Sequence, residues 1–227
     1  MSEMDDFFAS LTGETDYEIY LRTMDLFSCQ KTYAQCCNED EMQFQIVHQV
    51  EELWMKLISY TLFEIKQCME KEETNRVVGL FKGIHCVQEL MFQQLSLLET
   101  MSPQKYTEIR KLLSNGSGFS SPGMSALKSI ARSLWDVYKE HYLDGRGETL
   151  ISIYSRHSQN SDSYVIAECL LDFDEMVNKF RYHHVKLIHR SIGVDAMSLT
   201  DRSITHLYSL IEKHFFPELW KVRTEAA

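Results

Sequence analysis

The longest periodic stretch of the chain runs from Asp162 to Ile192 and reads DSYVIAECLLDFDEMVNKFRYHHVKLIHRSI. Apolar residues recur in it every three or four positions, which is the period of an amphipathic α-helix. The apolar stripe comprises Phe173, Met176, Val177, Phe180, Leu187 and Ile188, with His184 among them. Gly193 follows, at a position where helices commonly end in glycine. The stretch therefore predicts one long helix that carries a histidine on its apolar face.

The same periodicity extends over most of the chain. It predicts further helices over 41–68, 74–100, 103–113, 123–143 and 201–214. Ser102 and Pro103 are typical of a helix N-cap and of the first helical position, and glycine-containing loops at 115–118 and 144–147 separate neighbouring helices. No stretch alternates with the period of two that a half-buried strand shows. We therefore predict an all-α helical bundle that forms a single domain over 1–227.

The composition excludes several classes of partner. The net charge of −10 opposes binding to nucleic acid or to an anionic membrane surface, because like charges repel. No apolar run approaches the roughly 20 residues of a membrane span, and the N-terminal MSEMDDFFAS lacks the basic and apolar regions of a secretory signal. Six cysteines without CxxC spacing indicate reduced thiols. We predict a cytoplasmic protein that binds neither nucleic acid nor membrane.

His184 is the first candidate for chemistry, since the chain has no GxGxxG, Walker, GxSxG or HExxH motif. One interpretation is a core histidine that needs only a hydrogen-bond partner. The other is an axial ligand of haem iron, because a neutral imidazole among aliphatic side chains binds iron and leaves the opposite face open for dioxygen. The residues alone leave both interpretations open.

His48 is the second candidate and lies in the sequence FQIVHQVEELWMKL. Phe44 precedes it by one helical turn, and Glu51 and Glu52 follow one turn later. It is either a half-exposed histidine paired with a glutamate or a pocket group that hydrogen-bonds a substrate N–H or moves a proton.

Tyr106 and Arg110 are four residues apart on a predicted helix and therefore share a face. A guanidinium beside a phenol suits bidentate capture of a carboxylate, although Arg110 could equally pair with Glu108 or Glu99 in solvent. A second one-face cluster lies near the N-terminus, where the residues alone indicate core packing: Tyr17, Tyr20 and Leu21.

Each candidate residue is a weak signal alone, but six blocks of sequence link them to one another. In chain order they are TDYEIYL (15–21), HQVEELWMKL (48–57), LETMSPQKYTEIRKLL (98–113), SGFSS (117–121), KFRYHHVKLIHRSIG (179–193) and FFPELWKVRT (215–224). Each resembles a segment of the tryptophan 2,3-dioxygenase family, and they occur in the family's order over nearly the whole chain. Six ordered blocks are far more specific than any single one.

The resemblance implies a helical bundle that binds one haem b per subunit, with dioxygen as co-substrate. His184 falls on the proximal ligand of the haem iron, and His48 falls on the distal histidine that meets the indole N–H. Tyr106 and Arg110 fall on the pair that grips the carboxylate of the amino acid. Phe44 falls on a wall of the pocket.

Further positions follow from the same resemblance. Ser117 and Gly118 fall on the loop above the haem. Tyr17, Tyr20 and Leu21 fall on pocket walls that a neighbouring subunit supplies. The resemblance therefore implies a homo-oligomer, a tetramer in preference to a dimer, in which the segment 1–40 docks on a neighbour.

The chain departs from the family's pattern at four places. The loop that closes over substrate should fall near MSLTDRS (197–203), but its glycines are absent. Ser198 stands where the family has a threonine that helps to hold the substrate's amino-acid group. Met124 replaces an expected aromatic residue, and His183 replaces an arginine. The segment between SGFSS and the ligand helix is also shorter than in the dioxygenases.

The resemblance implies a haem-dependent oxygenase that opens the indole C2–C3 bond of L-tryptophan, or of a substituted tryptophan, to an N-formylkynurenine-type product. The altered closing loop keeps two alternatives open. One is a monooxygenase that hydroxylates the indole or another aromatic amino acid without ring opening. The other is a non-catalytic haem-binding protein, against which the retained carboxylate clamp argues.

Overall fold

A computed structural model describes residues 7, 10, 13, 15–113, 120–155, 161–194, 211 and 213–225. These residues form helices, turns and loops without a strand, which confirms the predicted all-α class. The α-helices are α1 (Asp16–Leu21), α2 (Thr23–Ser28), α3 (Glu41–Glu70), α4 (Thr74–Leu98), α5 (Pro103–Leu112), α6 (Pro122–Tyr138), α7 (Leu150–Ile153), α8 (Asp162–Ile192) and α9 (Pro217–Glu225).

The bounds of α8 agree with the prediction. The Ser161 hydroxyl accepts a hydrogen bond from the Tyr164 backbone N–H at 3.2 Å and caps the helix, and Gly193 ends it with a φ of 89° that favours glycine. The predicted bounds of α3 and α4 differ from the observed ones only at their carboxyl ends. Four short helices were not predicted (α1, α2, α7 and α9), and the helix predicted over 201–214 lies largely outside the described residues.

Helix α6 begins one residue before its predicted start because Ser121 is its N-cap and Pro122 its first residue. After Tyr138 the α-helix widens into a π-turn over Lys139–Leu143, which the sequence pattern did not predict. A Cβ atom at Gly145 would lie 2.8 Å from the Glu140 carbonyl oxygen, so glycine permits the turn that closes this segment.

The core forms where α3 packs against α4 and α6, and where α4 packs against α8. Its largest cluster runs through the middle of the bundle, and each fully buried aliphatic side chain stabilises the fold by about 1.5–3 kcal/mol. A smaller cluster of Val47, Leu95, Leu98 and Leu187 joins α3, α4 and α8 at one end. None of the described helices has the length and apolarity needed to cross a membrane.

Asp174, on α8, anchors the C-terminal segment. One oxygen of its fully buried carboxylate accepts hydrogen bonds from the Phe215 and Phe216 backbone N–H groups, at 2.9 and 3.1 Å, and from the Trp220 indole N–H at 3.0 Å. Since residues 215–220 follow the predicted closing loop, Asp174 fixes the point at which the chain returns to the bundle.

Candidate functional site

A small cavity lies beside the smaller core cluster, between α3, α5 and α8. Its lining residues are Phe44, His48, Leu98, Met101, Tyr106, His184, Leu187, Ile188 and Ser191. Its volume is about 30 Å³, which is room for one or two water molecules. Four residues that the sequence singled out separately therefore meet in one place: Phe44, His48, Tyr106 and His184.

His184 lies in the cavity wall with an open imidazole. The Phe180 ring stacks on it with a centroid separation of 6.2 Å, and within the described part of the chain His184 makes no hydrogen bond. Burial and, to a smaller extent, the nearby His48 lower the pKa of His184 to about 4. The ring is therefore neutral near pH 7, which is the form that binds iron.

His183 is the neighbouring histidine but points elsewhere, because successive residues on a helix lie about 100° apart. Its Nε2 lies 3.0 Å from the Glu99 carboxylate, and its ring meets Phe92 edge-on at 4.5 Å. Since His183 has a partner at the α4–α5 junction, only His184 of this pair faces the cavity.

His48 has a fixed tautomer. Its Nδ1 lies 2.7 Å from the Phe44 carbonyl oxygen, which can only accept a hydrogen bond, so Nδ1 carries the proton. Burial lowers the pKa of His48, while the bond to Phe44 and the charge of Glu52 oppose that shift. Neutral His48 therefore offers Nε2 as an acceptor, which suits a substrate N–H.

Tyr106 and Arg110 lie one turn apart on α5, as predicted. The Tyr106 ring is 6.1 Å from the Phe44 ring, and burial raises the pKa of Tyr106 whereas the charge of Arg110 lowers it. The phenol thus stays protonated and can donate a hydrogen bond beside a guanidinium. Arg110 is partly buried and is not among the residues that line the cavity.

Helix α5 is held in place by the segment that precedes α3. The Asn38 side-chain amide donates to the Lys105 carbonyl at 3.1 Å and to the Glu108 carboxylate at 2.9 Å. The Ser102 backbone N–H donates to Asp40 at 3.3 Å. Sequence reasoning missed these positioning residues, since polar residues before a helix are usually read as caps.

Glu52 lies one turn after His48 and holds the start of α6. It accepts hydrogen bonds from the Ser121 hydroxyl at 2.5 Å and from the Gly123 backbone N–H at 2.9 Å. A Cβ atom at Gly123 would lie 2.7 Å from both the Glu52 carboxylate and the Met55 side chain, so glycine is required at this contact. Glu52 therefore fixes the chain that follows the predicted haem-side loop.

Glu51 is a further residue that the sequence did not single out. It is buried between α3 and α4, and neither its Oε1 nor the nearby Gln94 Nε2 has a hydrogen-bond partner among the described residues. Burial raises the pKa of Glu51 to about 7; the Gln94 amide opposes this rise, and the Glu52 carboxylate adds to it.

The remaining predicted site residues are not in the cavity of this single chain. Tyr17, Tyr20 and Leu21 lie on α1 and expose 71%, 86% and 47% of their surface. The interpretation that these side chains pack in the core of their own chain is therefore wrong. That they dock on a neighbouring subunit stays a prediction. Three other predicted site residues, Ser117, Gly118 and Ser198, lie outside the described residues.

Known proteins resemble this chain over nearly its whole length. The family model described as tryptophan 2,3-dioxygenase matches residues 5–130 and 138–225. A tryptophan 2,3-dioxygenase of Myxococcus xanthus is 29% identical over 95% of this chain and 91% of its own length. Those of Serratia proteamaculans and Herpetosiphon aurantiacus are 29% and 28% identical, over 92% of this chain and 92% and 97% of their own lengths.

The alignment with a relative also shows where the difference in length comes from. The alignment with the Myxococcus protein spans 268 positions although this chain has 227 residues, so this chain lacks segments that the relative has. The family model covers α3, α5 and α8, which carry every described residue of the cavity except two from the α4–α5 junction. The chain belongs to the tryptophan 2,3-dioxygenase family.

Proposed function

We propose that the chain is a haem-dependent oxygenase that inserts both atoms of dioxygen across the indole C2–C3 bond of L-tryptophan or a substituted tryptophan. The product is of the N-formylkynurenine type. One observation carries the proposal: a neutral His184 and a neutral His48 face one small apolar cavity that Tyr106 also lines.

Haem b fits the chemistry of the cavity wall. His184 would hold the iron, since its imidazole is neutral and without a hydrogen bond in the described chain, and the aliphatic lining suits a planar apolar ring. The cavity is smaller than the macrocycle, so the site would have to widen when haem binds. Bound haem would supply the iron that activates dioxygen toward the electron-rich indole.

The other side chains hold the substrate in one orientation. Arg110 and Tyr106 bind the amino-acid carboxylate, one by charge and one by a donated hydrogen bond. The Phe44 ring, 4.1 Å from that of His48, forms an apolar wall for the indole. His48 accepts the indole N–H at Nε2. The chain thereby supplies orientation and a dry site.

Ser117, Gly118 and Ser198 complete the proposed site as the loop above the haem and a hydroxyl for the amino-acid group. The closing loop at 197–203 has no glycine, which is the observation that favours a second candidate. A less adaptable loop would admit water and protons earlier. One oxygen atom would then remain on a closed ring, and the other would leave as water with two protons and two electrons from an external reductant.

The proposed active form is a homo-oligomer, a tetramer in preference to a dimer. Helix α1 has no buried residue, although it carries Tyr17, Tyr20 and Leu21. Apolar side chains that are exposed in the described part of one chain gain cover from a neighbour, so segment 1–40 docks there and completes the pocket. The proposed location is the cytoplasm, where the six cysteine thiols would stay reduced.

Turnover with labelled dioxygen tests the proposal. The haem-reconstituted protein is reduced, supplied with L-tryptophan and ¹⁸O₂, and its product is analysed by mass spectrometry. Two labelled oxygens in a ring-opened product are expected, and one in a closed-ring product would establish the monooxygenase instead. Haem binding without any labelled product would contradict both and leave a haem-binding protein. Tryptamine, which lacks the carboxylate, is the matched control and should react far more slowly.

A further inference from the structure

Helix α5 carries both members of the proposed carboxylate clamp but has little apolar anchorage. Ile109 is the only buried residue of this helix. Tyr106 lines the cavity, whereas Arg110 does not. Successive residues of an α-helix lie about 100° apart around its axis, so a modest rotation of α5 changes how far the phenol and the guanidinium reach toward the cavity. One buried side chain does not fix such a rotation, and other contacts must do so.

The Asn38 side chain bridges two points on α5. Its Nδ2 donates a hydrogen bond to the Lys105 carbonyl oxygen at 3.1 Å and another to the Glu108 carboxylate at 2.9 Å. Residues three apart in a helix are neighbours on one side of it, so the two acceptors belong to the same side of α5. A donor that holds both points resists rotation of the helix about its axis. Tyr106 lies in the turn between them, so its direction depends on this contact.

The amide of Asn38 is itself held in one orientation. Its Oδ1 accepts a hydrogen bond from the Asp40 backbone N–H at 3.1 Å, in a local turn that asparagine commonly forms, and Nδ2 therefore faces α5. Behind this turn, the buried Glu41 carboxylate accepts the Cys37 backbone N–H at 2.6 Å and pairs with the Lys31 ammonium. Because the donor is fixed from its own side, it can hold α5 as a rigid contact.

The other contacts between this segment and α5 constrain the rotation less. The Lys105 ammonium pairs with the Glu39 carboxylate and lies 3.5 Å from that of Asp40, but the lysine side chain is flexible and water screens such exposed ion pairs. The Ser102 backbone N–H donates to Asp40 at 3.3 Å, which fixes where α5 begins and not how it is turned. Asn38 is therefore the contact best placed to set the rotation.

We infer that Asn38 is a positioning residue for the carboxylate clamp: it holds α5 in the rotation that presents Tyr106 and Arg110 to the carboxylate of the substrate. Asn38 does not line the cavity and acts through α5. The inference rests on the proposed function, because the clamp is a part of it. It has a consequence of its own, since a change at Asn38 should weaken recognition of the carboxylate and leave recognition of the indole unaltered.

A substitution with a matched rescue tests the inference. Asn38→Asp removes both N–H donors and places a carboxylate against that of Glu108. Adding Glu108→Gln supplies an amide that can donate to the new carboxylate, whereas Glu108→Gln alone keeps an acceptor for Asn38 and should bind as the parent does. Dissociation constants of L-tryptophan and tryptamine are measured on the ferric, haem-reconstituted protein from the change in haem absorbance.

The two ligands should respond differently. Asn38→Asp should raise the dissociation constant of tryptophan about tenfold and that of tryptamine, which has no carboxylate, less than about twofold. The double variant should bind tryptophan at least about threefold more tightly than Asn38→Asp does, because one hydrogen bond is restored with its direction reversed.

Asn75→Asp is the matched control, because it makes the same change at an exposed asparagine in the first turn of α4. Leu98, which lines the cavity, ends that helix about 35 Å further along, so Asn75→Asp should leave both dissociation constants unchanged. Circular dichroism and haem content verify that each variant is folded and loaded.

Three results would overturn the inference: equal losses for tryptophan and tryptamine in Asn38→Asp, no loss for either, or no recovery on adding Glu108→Gln. A parent that binds the two ligands equally well would instead refute the clamp of the proposed function, and the inference with it. Should Asn38→Asp fail to fold or to retain haem, Asn38→Ser replaces it, because a hydroxyl keeps the turn at Asp40 but is too short to reach both acceptors. An undiminished preference for tryptophan in that variant rejects the inference.

Discussion

Two regions along α8 treat buried polar groups in opposite ways. At Asp174, one buried carboxylate oxygen accepts hydrogen bonds from three N–H donors of the same chain, so this oxygen needs no other partner. Three turns further along, His184 faces a cavity without a hydrogen bond in the described chain, and across the bundle Glu51 has an oxygen without a partner. Buried polar groups normally find partners, so the second region breaks a rule that the first obeys.

The difference separates a structural site from a binding site. A carboxylate with complete hydrogen bonding fixes two parts of a chain to each other, and nothing further can bind to it. A buried imidazole without a hydrogen bond costs stability unless a ligand compensates it, so the presence of His184 in the cavity wall indicates a ligand. The two regions should therefore respond differently to substitution, in stability for one and in binding for the other.

The largest expected effect concerns His184. His184→Ala should lose nearly all haem while its free energy of unfolding without haem stays within about 1 kcal/mol of the parent, because its imidazole has no partner to lose. Haem content by absorbance and urea unfolding of the haem-free protein measure the two effects. His183→Ala is the matched control and should retain haem, since His183 contacts Glu99 instead of the cavity. Haem retained by His184→Ala and lost by His183→Ala would reverse the assignment.

Asp174 should show the opposite pattern. Asp174→Ala leaves three N–H groups without their acceptor and should lower the free energy of unfolding by about 3–5 kcal/mol. Urea unfolding measures the loss. The control is Asp172→Ala, an exposed carboxylate on the same helix, which should change stability by less than about 0.5 kcal/mol. Equal losses in the two variants would mean that Asp174 does not anchor the C-terminal segment.

Sequence reasoning found the cavity better than it found the anchor, for a physical reason. His184, His48 and the Tyr106–Arg110 pair interrupt helical patterns or share a helical face, and such features depend on local spacing. The contacts of Asp174 join residues 41 to 46 positions apart, which no local pattern encodes. The contact between Glu52 and Gly123 was missed likewise, because it joins residues 71 positions apart.

Glu51 permits a test of the same comparison by pH. The unfolded chain ionises this carboxyl near its ordinary pKa, whereas the folded chain holds the proton up to about pH 7. Between these values the folded state binds more protons, so stability falls as pH rises. Glu51→Gln removes this loss and should stabilise the haem-free protein by about 2–3 kcal/mol more at pH 8 than at pH 4.5.

Urea unfolding at the two pH values measures this difference. Glu89→Gln, an exposed carboxylate on α4, is the control and should give the same small change at both. If Glu51→Gln behaves as Glu89→Gln does, the Glu51 carboxylate is solvated in solution and is not the buried, incompletely bonded group that the structure indicates.

The smallest expected effect belongs to His48 and sharpens what the cavity does to its substrate. Because the Phe44 carbonyl holds Nδ1–H, Nε2 can accept one hydrogen bond from the indole N–H, which is worth about 0.5–1.5 kcal/mol. His48→Ala should therefore lower kcat/KM for tryptophan only about threefold to tenfold, with haem content unchanged.

Methylation of the indole nitrogen is the matched control, because it removes the same hydrogen bond by changing the substrate instead of the protein. The parent should thus discriminate against 1-methyltryptophan, whereas His48→Ala should treat the two substrates nearly alike. Complete loss of turnover with intact tryptophan binding would instead assign His48 an essential proton transfer, and undiminished discrimination in the variant would place the indole N–H against another group.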